Sequence, residues 1–210
     1  MQINKVQVDA NHYQFSKYVT LSRWSSYWHQ INEVINSGCK KVLWVGVGDG
    51  IPIKILRDNG VNVTTLDIDF ALNPDITGDI TSLTLEDRAF ELCCAFQVLE
   101  HLPYEQSLIA IKELDRVASK KIIISLPNQK PARKFILTFP YIRQFKFLFE
   151  KINFKPKEHL FNREHYWEVE AKNYSLNTLI SDFGLEVTNK KLSRNYRLFD
   201  NPYHHFFIWE

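Results

Sequence analysis

A β-branched apolar run, Lys41-Val42-Leu43-Trp44-Val45, breaks directly into Gly46-Val47-Gly48-Asp49-Gly50, after which Ile51, Ile53, Ile55 and Leu56 resume at helical spacing. Few local patterns restrict a fold more. Three alternate glycines permit positive φ in a tight turn and let a ligand approach the backbone without meeting a Cβ. Strand, glycine turn, helix is the economical reading. Pro52 fits the first turn of that helix, where its missing N–H costs nothing.

The rest of the chain continues the rhythm. Val61 to Leu66 reads as a second strand ending at Asp67, and a third, short one falls near Asp75 to Gly78. Phe90 to Phe96 is a continuous apolar strand, Tyr104 to Ala118 a helix on the Leu108, Ile111, Leu114 and Val117 stripe, and Lys121 to Leu126 another buried strand. Alternation of this kind predicts an α/β fold with a largely parallel sheet. Ser175 to Phe183 reads as a helix capped by Gly184, followed by strands over Leu185 to Leu192 and His205 to Trp209. With no helix between them, those last two strands must be antiparallel. Ahead of the glycine turn, Tyr13 to Ser37 carries Val19, Trp24, Tyr27, Trp28, Ile31, Val34 and Ile35 at helical spacing, and reads as one or two helices.

At 210 residues with 45% hydrophobic and 24% charged, the chain can bury one sizeable core, which excludes a disordered or fibrous protein. Cys93 and Cys94 are adjacent in an apolar strand and should point to opposite sheet faces as core thiols of a reducing compartment. The opening residues lack a continuous apolar signal segment, and no stretch reaches the ~18 apolar residues of a membrane span, so the expectation is a cytoplasmic protein.

Asp67 sharpens the ligand reading. A carboxylate at the carboxyl end of the second strand can accept both hydroxyls of a ribose at the sheet's switch point. Two cofactor classes share that geometry. The dinucleotide fingerprint needs G-x-G-x-x-G, whereas here Gly50 is itself the third glycine, a spacing that disfavours NAD.

Val42 to Gly50, then Leu66-Asp67-Ile68-Asp69, Gly78-Asp79-Ile80, and Phe96-Gln97-Val98-Leu99-Glu100-His101-Leu102 together resemble the class I S-adenosylmethionine-dependent methyltransferases. The resemblance spans about residues 40 to 128. It implies a Rossmann-like, seven-stranded, mostly parallel sheet in the order 3-2-1-4-5-7-6, strand seven antiparallel, with helices on both faces. It further implies that Gly46, Gly48 and Gly50 line the methionine part of S-adenosylmethionine, Asp67 the ribose, and Ile68 one adenine face. Asp79 and Ile80 would meet the adenine edge, and Gln97 and Val98 would floor the pocket beneath the sulfonium. One position departs from the family: Trp44 stands where an acidic residue usually helps to hold the cofactor's ammonium group. Asp49 can substitute for it from within the loop, or serve as a helix N-cap. The expected organisation is a helical segment over residues 1–38 capping the cofactor site and a methyltransferase domain over 39–210.

Methyl transfer from a sulfonium needs chiefly in-line positioning. A general base contributes about 10²–10⁴-fold where the acceptor must lose a proton. His101 is one candidate base, with a structural role as its rival. His165 is a second candidate, and His159 a weaker one, both in a segment where the family places acceptor-recognition elements. Ubiquinone-pathway O-methyltransferases and small-RNA 2′-O-methyltransferases carry Glu-x-x-Glu-His as a magnesium site, whereas this chain has Gln97-x-x-Glu100-His101. The amide removes a charge from a hard-cation site, so no tightly bound metal is expected.

Between Lys130 and Lys157, eight basic residues face a single acid, Glu150, with Phe135, Phe139, Tyr141, Phe145, Phe147, Phe149 and Phe154 interleaved. This basic aromatic insertion, at about residues 129–160, admits four accounts: an amphipathic cap helix with its phenylalanines packed on the domain, a lid over an anionic or amphipathic acceptor, a membrane-surface helix, or a stacking surface for single-stranded nucleic acid. The whole-chain charge of +2 exerts no global pull toward nucleic acid or a membrane, so any such attraction must be local, and a nucleic-acid partner is not expected. The reading is therefore a methyltransferase acting, at oxygen, on a small-molecule or lipid- or sugar-linked acceptor. A cofactor-binding module without catalysis and an NAD-dependent oxidoreductase are the alternatives.

Overall fold

The computed structural model describes residues 10–139, 144–150, 157–161 and 164–210. The chain opens with helices α1 (Phe15–Tyr18) and α2 (Leu21–Asn36), the latter capped by the Thr20 hydroxyl, which accepts the Arg23 N–H. Strand β1 (Lys41–Val45) runs through the glycine turn into α3 (Ile51–Asp58), with Pro52 in its first turn as the sequence predicts. Then come β2 (Asn62–Asp67), β3 (Ile76–Thr77), β4 (Phe90–Phe96), α4 (Tyr104–Val117) and β5 (Ala118–Pro127). A hairpin of β6 (Ala132–Leu137) and β7 (Phe145–Glu150) follows, and α5 (Leu176–Glu186), β8 (Leu192–Arg197) and β9 (His204–Trp209) complete the order.

Seven strands form one sheet in the order β3-β2-β1-β4-β5-β9-β8. Pairing is parallel from β3 through β5, and β9 runs antiparallel to both β5 and β8. Once the hairpin strands are set aside, this is the expected 3-2-1-4-5-7-6 topology. Alternation along the strands divides the core. Leu43, Cys93, Ile122 and Phe207 face α4 and α5, while Val42, Trp44, Cys94 and Ile123 face α2 and α3. The adjacent cysteines thus point to opposite faces, and all three cysteines are free and buried. No helix among the described residues is long and apolar enough to cross a membrane.

Two sequence expectations need correction. Gly184 does not end α5, which continues to Glu186, and the strand placed over Leu185 to Leu192 instead begins at Leu192. The intervening segment is a tied loop: one carboxylate oxygen of Asp115 on α4 accepts the backbone N–H groups of Thr188 and Asn189. The basic aromatic insertion is also not a helix packed on the domain. Its regular part among the described residues is the β6–β7 hairpin, with Phe135, Phe145, Phe147 and Phe149 exposed. Phe145, Phe147 and Phe149 recur every second residue, the period of a strand. Tyr141, Arg143, Lys151, Phe154 and Lys155 lie outside the described residues.

Candidate cofactor cleft and its histidine cluster

The sheet order reverses between β1 and β4, the position at which open α/β sheets form a crevice beyond their strand ends. A cleft of about 490 Å³ lies there. Gly46, Gly48, Asp67 and Ile68 line it from β1 and β2, and Asp79, Ile80, Gln97 and Val98 line its far side. Asp49 and Gly50 are not among its lining residues. Asp49 instead accepts the Tyr27 hydroxyl at 2.6 Å and the Ile51 N–H at 3.1 Å, which pins α2 to the loop and holds the start of α3.

Backbone geometry explains the first glycine. Gly46 has φ +84°, and a Cβ built on it would lie 2.7 Å from Val98 Cγ2. Its N–H donates to the Leu66 carbonyl at 2.8 Å, and its own carbonyl accepts the Trp44 indole N–H at 2.9 Å. Trp44 is buried on the α2/α3 side of the sheet against Phe96, so it braces the turn from behind.

Asp67 is aimed by the same loop. One oxygen accepts the Val47 N–H at 2.7 Å and the other the Asp69 N–H at 2.9 Å. A carboxylate has about four lone-pair sites, so each oxygen keeps capacity for a ligand hydroxyl in a fixed direction. Across the cleft, Asp79 accepts the Thr81 N–H and hydroxyl at 2.9 and 2.8 Å. Gln97 takes φ +56° and is held by Ser125, through its backbone N–H to the carbonyl and through its side-chain amide to the hydroxyl.

Sequence reasoning missed the aromatic wall. Tyr13 and Tyr18, from the segment before α2, line the cleft with Phe161 and Tyr166. The two tyrosine rings meet edge-on at 4.9 Å, and Arg23 donates to the Tyr18 hydroxyl at 2.8 Å. No local motif marks these residues. Their role depends on the chain folding back over the sheet.

The two candidate histidines come together through backbone bonds. The Tyr166 N–H donates to the Glu100 carbonyl at 2.8 Å, and His101 Nδ1 lies 2.9 Å from the Glu164 carbonyl, so that nitrogen carries the proton. Buried Trp167 anchors the segment, its indole N–H reaching the Leu102 carbonyl and the Ser107 hydroxyl, each at 3.1 Å. His101 and His165 therefore meet edge-on, ring centres 5.0 Å apart. His101 lines the cleft; His165 does not. His165 Nδ1 is 2.8 Å from Glu168, whose same oxygen accepts the Tyr203 hydroxyl at 2.6 Å. His159 Nε2 contacts the His165 carbonyl at 3.0 Å, so its contact there is to the backbone of the segment.

Electrostatics separate these groups. Burial, then the adjacent His165, holds the pKa of His101 down to about 4, so it is uncharged at neutral pH. Burial also pulls on His165, but its bond to Glu168 and the nearby carboxylates outweigh that and raise its pKa. Glu168 moves the opposite way: its bonds to His165 and Tyr203 overcome burial and lower its pKa. Glu100 is fully buried, neither carboxylate oxygen is hydrogen-bonded among the described residues, and desolvation pushes its pKa up to about 7. Donor atoms of Glu100, His101 and His165 lie within 4.8 Å of one another, close enough to share one divalent cation. One carboxylate with two imidazoles departs from the oxygen-rich sets that magnesium prefers.

Residues 43–124 match a family model described as a methyltransferase domain. Over that segment, 82 of the 210 residues, the chain matches a methyltransferase domain, set within the sheet order described above. Solved structures share its fold at low identity. The PH0226 protein from Pyrococcus horikoshii OT3 is 15% identical, with 97% of this chain and 99% of that one covered at a TM-score of 0.58. Magnesium protoporphyrin IX methyltransferase from Synechocystis PCC 6803, solved with bound SAH, is 14% identical over 90% of this chain and 83% of its own, at a TM-score of 0.59. A S-adenosylmethionine-dependent methyltransferase from Clostridium acetobutylicum ATCC 824 is 9% identical, covering 95% of each chain at a TM-score of 0.59. No curated protein sequence matches the chain.

Proposed function

We propose that this methyltransferase domain binds S-adenosylmethionine in the cleft and methylates an oxygen of a small or lipid-linked acceptor. The observation that carries the reading is the Asp67 carboxylate, oriented by two backbone N–H groups at the carboxyl end of β2 and set beside the Gly46 turn. When bound, S-adenosylmethionine supplies a methyl group already activated on a sulfonium. The chain's contribution is then to hold the nucleoside and the acceptor in line and to exclude water. Asp67 takes the ribose hydroxyls, the Gly46–Gly48 turn admits the methionine portion, and Ile68 and Ile80 flank the base. Tyr13 and Tyr18 close the cleft over it.

Proton handling divides between the histidines. His101, uncharged in the cleft wall, contacts the acceptor hydroxyl. His165, oriented by Glu168 and of raised basicity, is the stronger base of the two and stands behind His101, outside the cleft lining. A hydroxyl acceptor must lose its proton as the methyl group arrives, and a base in the cleft wall supports that choice of acceptor.

Calorimetric titration with S-adenosylmethionine, its demethylated product and NAD tests the reading. Binding of the first two and none of NAD is expected. Asp67→Ala should weaken the former roughly 10–100-fold, as loss of charged hydrogen bonds implies. NAD binding without binding of the sulfonium compound overturns the proposal in favour of an oxidoreductase. Cofactor binding with no turnover on any hydroxylated acceptor would leave a binding module.

A further inference from the structure

We infer that the outer face of the β6–β7 hairpin is a docking surface for an anionic lipid bilayer. Cross-strand register places Phe135 opposite Phe147, Leu137 opposite Phe145 and Arg133 opposite Phe149. Partners in register share a face, so five large apolar side chains and one arginine form a single surface. Every one of the five is at least 46% exposed. A contiguous apolar patch of this kind is uncommon on a monomer unless something covers it.

The opposite face is partly engaged by the rest of the chain, although Ile136 on it is also exposed. Lys134 donates to the Asp200 carbonyl at 2.6 Å, and the Lys134 and Lys146 ammonium groups lie 5.9 and 5.4 Å from the Phe199 ring centre. At the hairpin's base, Glu150 pairs with Lys130 at 3.0 Å and with Arg197 at 3.1 Å. These contacts tie the hairpin to the β8–β9 connection and leave the phenylalanine face pointing away from it.

Charge selects the occupant. The segment 130–157 holds eight basic residues and one acid, which leaves 18 basic and 23 acidic residues elsewhere out of totals of 26 and 24. A second copy meeting face to face would oppose two cationic segments. Nucleic acid needs several cations on the stacking face, and Arg133 is the one there among the described residues, because Lys134 and Lys146 are turned to the other side. A bilayer fits the patch: the phenylalanines and leucine enter the acyl boundary while Arg133, on the same face, sits among anionic headgroups and adds about fivefold to partitioning. The hairpin follows the carboxyl end of β5, the same end of the sheet as the cleft, so docking would turn the cleft toward the lipid surface. The inference stands on the hairpin and is independent of the reaction.

The test is co-sedimentation of the full chain with phosphatidylcholine vesicles, with and without phosphatidylglycerol, at low and high salt. Binding is expected only to the anionic vesicles, weakened by salt. Phe147→Ser with Phe149→Ser should lower it on the order of 10-fold per residue, with an unchanged circular dichroism melting curve, whereas Phe147→Trp should keep it. No sedimentation at low salt, or binding indifferent to the double substitution, overturns the proposal. So does a dimer, or binding of a single-stranded oligonucleotide, that the double substitution abolishes while vesicle binding is absent.

Discussion

The indole N–H of Trp44 donates to the carbonyl of Gly46, two residues on, at 2.9 Å. Where the family pattern has an acidic residue, this chain therefore has a brace on the turn itself. Trp44→Phe keeps the packing on Phe96 but removes the donor, and a neutral hydrogen bond is worth about 0.5–1.5 kcal/mol. Cofactor affinity is expected to fall by roughly 2–10-fold, with a small loss of thermal stability. Calorimetry and a melting curve measure both. An unchanged affinity would mean that the turn holds its shape without the indole.

The contact between Gly46 and Val98 gives a second prediction. Alanine at 46 must adopt φ +84° and bring its Cβ to 2.7 Å from Val98 Cγ2. A left-handed conformation costs about 1–2 kcal/mol for an L-residue, and the clash adds to it. Val98→Ala removes the clashing methyl group but not the backbone strain. In a double-mutant cycle by urea denaturation, Gly46→Ala should be partly rescued by Val98→Ala, with a coupling of about 0.5–3 kcal/mol. Full additivity would show that Val98 moves aside freely.

Most of the sheet was legible because its determinants are local. The glycine turn, the Asp67 strand end and the apolar β4 and β5 runs each carry their pattern within ten residues. What stayed hidden needed distant partners. His165 reaches His101 through the Tyr166–Glu100 backbone bond and the Trp167 anchor, neither of which has a spacing to read. Tyr13 and Tyr18 reach the cleft from the segment ahead of α2, and α2 is held over the loop by contacts such as Tyr27 to Asp49. Gly184 carries a local stop signal that α5 runs through, and the side chain that ties down the following loop, Asp115, lies 69 positions upstream on α4. In the insertion the alternate phenylalanines encode a strand, a period that composition alone does not show.

That same Asp115 supplies a third prediction. It pairs with Lys190 at 2.8 Å, each side chain only 3% exposed, while its other oxygen accepts from Thr188 and Asn189. Removing one member of such a pair strands a buried charge. Asp115→Ala is expected to cost about 3–5 kcal/mol in urea denaturation, and Asp115→Ala with Lys190→Met less than the two single changes combined. A loss below about 1 kcal/mol for Asp115→Ala would mean that water reaches the ammonium.

Glu100 makes stability depend on pH in a direction opposite to that of an ordinary salt-bridged carboxylate. Its pKa rises from an ordinary 4.5 to about 7 because burial disfavours the charged form. Between those values the folded chain binds more protons at this site than the unfolded one, so its contribution is complete below about pH 4.5 and is lost as pH rises toward 7. The amplitude is on the order of 3 kcal/mol. His165, with a raised pKa, acts in the same direction, and His101, held down to about 4, acts against it between 4 and its ordinary 6.5. The difference between wild type and Glu100→Gln isolates the carboxylate. The variant should be more stable than wild type at pH 8 and converge with it at pH 5, in denaturation curves recorded with a chelator present. Magnesium in place of the chelator should leave the wild-type curve unmoved, because one carboxylate and two imidazoles suit a hard cation poorly. A wild type stabilised by magnesium, with no response in Glu100→Gln, would show instead that a cation neutralises this carboxylate.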